Sequence, residues 1–64
     1  MTRQEAELTT RNVRAYHVRV VQAWKQHLTR RFHRSDNELV PLIARKSGLS
    51  EHLTEAILVI YPEG

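Results

Sequence analysis

Apolar residues recur along this chain at helical spacing from near its start almost to its end. Between Glu5 and Phe32 there is neither Gly nor Pro. At ~100° per residue, Val13, Tyr16, His17, Val20, Val21, Trp24, Leu28 and Phe32 gather in an arc of roughly 160°. The spacing predicts one long amphipathic helix over about 5–32, with residues 1–7 frayed; Thr9 or Thr10 is an alternative cap for a later start. Leu39, Leu42, Ile43 and Lys46 then repeat at three and four, giving a second helix over about 38–47. Ser35 and Glu38 have capping-box spacing, Asn37 is the competing cap, and Pro41 is expected near the helix start, where it costs little. Gly48 suits a left-handed helix end, and Ser50 suits the cap of a third helix with Leu49, Leu53, Ile57 and Ile60 as its inward stripe. The segment "AILVIY", residues 56–61, is apolar on every side; it reads as a buried helix end, with a short strand as the alternative. The expected fold is all-α: a single domain over 1–64, one long amphipathic helix followed by two short helices in a helix-turn-helix-like pair.

Size changes this picture. A chain of 64 residues buries only ~60% of its unfolded surface. With no cysteine, disulfides and thiolate metal sites are excluded, which leaves oligomerisation as the expected source of extra stability. A homodimer is therefore expected, with Val20, Trp24, Ile57, Val59, Ile60 and Tyr61 at the dimer or partner interface. No apolar run approaches the ~20 residues of a membrane span, and "MTRQEAELTT" has no apolar core of a signal peptide. The expectation is a cytoplasmic protein with no membrane partner.

The net charge of +3 is small, but it is unevenly spread. Arg11, Arg14, Arg19, Lys25, Arg30, Arg31 and Arg34 lie in a stretch without a single Asp or Glu, whereas from Ser35 onward Arg45 and Lys46 face five acids. Helices that are merely soluble usually mix signs, because opposite charges four apart are weakly stabilising. The unmixed stretch points to phosphate or to an acidic protein surface. These nine basic residues are the candidate nucleic-acid contacts.

Enzymatic chemistry finds no footing. There is no glycine-rich phosphate loop, no Gly-x-Ser-x-Gly and no His-Glu-x-x-His. His17, His27 and His33 are ten and six apart, not the three or four that ligands on one helix face require. No catalytic residue, metal or cofactor is expected, and His17 reads as a partly buried structural histidine.

The stretch "IARKSGLSEHLTEAI" has the punctuation of a helix-turn-helix. Residues 37–58 also resemble the amino-terminal helices of the HU/IHF family, through Glu38, Leu39, Ile43, Ala44, Gly48, Leu49, Ser50 and Leu58. In that family these helices form the dimer body, and later β-arms hold the DNA. The chain read here has no counterpart to those arms, so that family's DNA bending is not expected of it. The string "RSDNEL" is similar to one in the small Hha-type nucleoid regulators. As a generic helix-turn-helix, the third helix would present Ser50, Glu51, His52, Thr54 and Glu55, without one Lys or Arg. Phosphate contacts supply most non-specific affinity, so the main attraction is expected from the long basic helix instead. The expected function is a small nucleic-acid-binding regulator of transcription or DNA maintenance. The alternative is an inhibitor or adaptor that docks on an acidic partner protein.

Overall fold

The computed structural model describes residues 1–62, which form four helices: α1 (Arg3–Thr9), α2 (Ala15–Phe32), α3 (Asp36–Ser47) and α4 (Glu51–Ile60). The all-α expectation holds, but the single long helix is in fact two. Thr9 and Thr10 cause the break. Their hydroxyls donate to the Glu5 and Ala6 carbonyls at 2.8 and 2.9 Å, bonding backward in a way that competes with continuing a helix. The Val13 N–H then returns to the Thr10 carbonyl at 3.0 Å in a turn, and Arg14 is extended at φ −84°, ψ 148°. The chain thereby reverses α1 onto α4, the only helix α1 meets, and Ala6 is fully buried. Thr2 caps α1 by accepting from the Glu5 N–H at 3.1 Å.

α2 packs on α3 and α4 through a face rotated from the expected arc. Val21 and Leu28 are buried and Val18 and Trp24 partly so, whereas Tyr16 is 70% and Phe32 43% exposed. At ~100° per residue, Val18 lies about 60° from Val21 on one side and Tyr16 about 140° away on the other. Two neighbours cover only one end of a broad apolar arc. α2 ends on His33 in the left-handed region, at φ 52°.

α3 begins two residues earlier than expected. Ser35 is its cap, but through its carbonyl, which accepts from Glu38 and Leu39 at 3.2 Å each; its side chain makes no cap bond. The Glu38 carboxylate turns instead to Arg34, 3.4 Å away, so the capping box does not form. Pro41 consequently sits in the second turn rather than the first. The donor it lacks would have served the Asn37 carbonyl, next to the exposed helix start. Gly48 ends α3 at φ +72°, and the Leu49 N–H reaches back to the Ala44 carbonyl at 3.0 Å, closing a Schellman-type end.

α4 starts as the spacing predicts, with Ser50 Oγ accepting from Leu53 at 3.1 Å. Residues 56–60 are helical, so the strand alternative is not formed. α4 meets all three other helices and buries Thr54, Ala56, Ile57 and Leu58. The core is Val21, Leu28, Leu39, Ile43, Ile57 and Leu58. Ile57, assigned above to a dimer interface, is fully buried within its own chain and cannot meet a second copy. Of the apolar segment 56–61, Ala56, Ile57 and Leu58 are covered within the chain, whereas Val59 and Ile60 are half-buried and Tyr61 is exposed.

Candidate nucleic-acid interface

The nine basic residues do not form one patch. Arg19 and Arg30 are eleven positions apart on α2, about 20° apart around its axis, and both are exposed with exposed Ala23 and Gln26 between them. This is the outer strip of α2. Arg11 and Arg14 are exposed at the α1–α2 junction. A cation at the positive end of α2, which has no acid in its first turn, does nothing for that helix's stability. Arg11, Arg14, Arg19, Arg30 and Arg45 have no ion pair with any described residue.

Two of the nine are committed elsewhere. Lys25 Nζ lies 3.3 Å from Asp36 Oδ2 and also donates to the Pro62 carbonyl, with its side chain only 18% exposed. It ties α2 to the start of α3 and the end of α4. That role corrects its place among free cations: a lysine about 60° around the helix from Leu28 lies at the edge of the buried face, not on the outer strip. Arg34 pairs with Glu38 at 3.4 Å, four residues on, with both side chains more than half exposed. Such a pair is worth about 0–1 kcal/mol, and its main effect is to offset the arginine's charge.

Arg31 of α2 and Lys46 of α3 lie along the same α2–α3 cleft. They line a cleft of about 430 Å³ with Trp24, His27, Phe32 and Leu42. Lys46 Nζ stands 5.7 Å from the Trp24 ring centre, and the Arg31 guanidinium 5.6 Å from that of Phe32, both within cation–π range. The His27 ring meets Trp24 edge-on, with centroids 5.8 Å apart at 80°. No carboxylate of a described residue lines this cleft. Trp24 is thus half-buried, packed on the core from one side and lining the cleft from the other.

The helix that a helix-turn-helix would use to read bases is covered. α1 lies on α4, with Thr9 Oγ1 3.4 Å from His52 Nε2 and the Met1 amine 3.8 Å from Glu55 Oε1. Thr54, expected to be exposed, is fully buried. Only Glu51 and His52 stand well out from α4's first turn. The remaining expected interface residues lie in separate places. Val59 lines a hollow with Asn37 and Val40, Tyr61 lines another with Val18 and Arg19, and Val20 and Ile60 are half-buried.

Among the described residues no cluster of histidines and acids is placed to hold a metal, and no helix is long and apolar enough to cross a membrane. His27 and Phe32 were missed as site residues because only the folding of α3 against α2 brings Lys46 beside them. A partial signal was present: Trp24, His27 and Arg31 fall at helical spacing along one side of α2. No known protein family, curated protein or solved structure matches this chain.

Proposed function

We propose that this chain is a small nucleic-acid-binding regulator of transcription or DNA maintenance that works as a homodimer and holds phosphate mainly through α2 rather than through α4. One observation carries the reading. The exposed arginines of α2 lie on a helix with no acid and have no ion pair with any described residue, whereas α4 presents Glu51 and is roofed by α1. Unpaired cations on a rigid helix can release counterions from a polyanion without first breaking internal pairs. The adaptor alternative loses support, because the apolar tail it would use is largely inside: Ala56, Ile57 and Leu58 are all buried.

The test is salt-dependent binding to a short labelled DNA duplex, followed by fluorescence anisotropy, with sedimentation at micromolar concentration reading the dimer. Arg19→Ala with Arg30→Ala should weaken binding to any duplex and flatten the log–log salt dependence by about 1 unit for each lost phosphate contact. Glu51→Gln with Glu55→Gln should leave binding unchanged or strengthen it. A folded arginine variant with an unaltered salt slope would overturn the reading.

A further inference from the structure

The cleft between α2 and α3 carries more than backbone attraction. We propose that it is a binding site for an unpaired nucleotide, so that the chain prefers single-stranded nucleic acid to duplex. This rests on the nucleic-acid reading above and names the form of ligand. Three observations converge. The cleft offers aromatic surface from Trp24, His27 and Phe32, and Phe32 is 43% exposed although it is a large apolar side chain. It offers positive charge from Arg31 and Lys46, each already poised over one of those rings, with no carboxylate of a described residue to oppose an anion. Its volume of about 430 Å³ falls within the ~300–1,000 Å³ of small-ligand sites.

A nucleotide presents both features that these groups demand: a flat ring with an accessible face, and a phosphate one sugar away. Stacking on aromatic side chains beside cations is how sequence-tolerant single-strand binders hold bases. A duplex keeps its base faces stacked inside and has only phosphates to give. The cations also continue beyond the cleft, since Arg30 and Arg45 are exposed next in sequence to Arg31 and Lys46. A polyanionic backbone leaving the cleft therefore meets further charge, which a single acidic side chain on a protein would not need.

Trp24 is the chain's only tryptophan, so its emission reports on the cleft directly. The probes are an oligothymidylate and a duplex of equal length, titrated at low salt. The oligothymidylate should quench Trp24 and bind several-fold more tightly than the duplex. Phe32→Ala, at an exposed position, should lower single-strand affinity several-fold and leave duplex affinity within twofold, with circular dichroism confirming the helical fold. Equal affinity for both probes with unchanged Trp24 emission would overturn this proposal while leaving duplex binding through α2 in place. Binding of neither probe would overturn both. A Trp24 response to an acidic aromatic peptide but not to the oligothymidylate would also overturn it, in favour of a protein partner.

Discussion

α4 has ten residues and touches every other helix; α2 has eighteen and is packed by α3 and α4 alone. α4 owns the turn and the spacing of a DNA-reading helix, yet its interior side chains are apolar apart from Thr54, and its accessible first turn carries Glu51. α2 has no motif at all, yet it keeps an outer strip bearing Arg19 and Arg30, and one flank opens onto the aromatic cleft. The difference shows that helix-turn-helix punctuation describes how two helices are joined and not which of them is free to meet a partner. Accessibility is decided by the rest of the fold, here by α1.

The contrast is broken first by truncation in the core. Ile57→Ala should cost about 2–5 kcal/mol in urea unfolding, as large-to-small changes at buried aliphatics do. Val20→Ala, on the half-buried side of α2, should cost less than about 1 kcal/mol. Equal losses would mean that Val20 is covered as thoroughly as Ile57, and therefore by a second copy.

Next come the two left-handed helix ends. Gly48→Ala should cost about 1–2 kcal/mol from backbone strain alone, because a Cβ there would meet nothing within 4 Å. His33 already occupies the same region at the end of α2 without being glycine. His33→Gly should therefore stabilise, by about 0.5 kcal/mol once the added freedom of the unfolded chain is deducted. Thermal melts of the two variants shifting in the same direction would contradict this assignment.

The subtlest change lies inside α4. Thr54 is fully buried and its hydroxyl has no hydrogen-bond partner among the described residues. Thr54→Val keeps the shape and removes the unsatisfied oxygen, so the unfolding midpoint should rise, by about 1 kcal/mol of stability. A fall would show that the hydroxyl is satisfied in solution, by water or by a neighbouring carbonyl.

Local chemistry was legible in the sequence and global packing was not. Gly48 and Ser50 act over a few residues, and both do what their types predict. The helical state of 56–60 was also legible, since its length and apolar character suit a covered helix. The break at Thr9–Thr10 was half visible: both residues were noted as caps for a later start, but nothing local announces that α1 turns back onto α4. The capping box failed because Glu38 had a second partner in Arg34, and a spacing rule cannot weigh two partners. Lys25 looked like its neighbours until Asp36 and Pro62 were brought to it from 11 and 37 positions away. The Trp24–Lys46 pairing spans two helices and was invisible for the same reason. Where Ile57 was misplaced, the error lay in treating the apolar tail as one surface, although the chain buries Ile57 and leaves Tyr61 exposed.

The fold of α1 onto α4 also sets an order of assembly. α2, α3 and α4 each pack against a sequence neighbour, so their contacts close short loops. α1 reaches past all of them, and Thr9 meets His52 across 43 positions. The entropy of closing a loop rises with its length, and contacts of long separation are rewarded only after it has been met. The contact of α1 with α4 is therefore the last to form. Until it does, one side of α4 stays uncovered. In the finished protein the same seven residues are the natural first segment to let go, since they rest on one neighbour only.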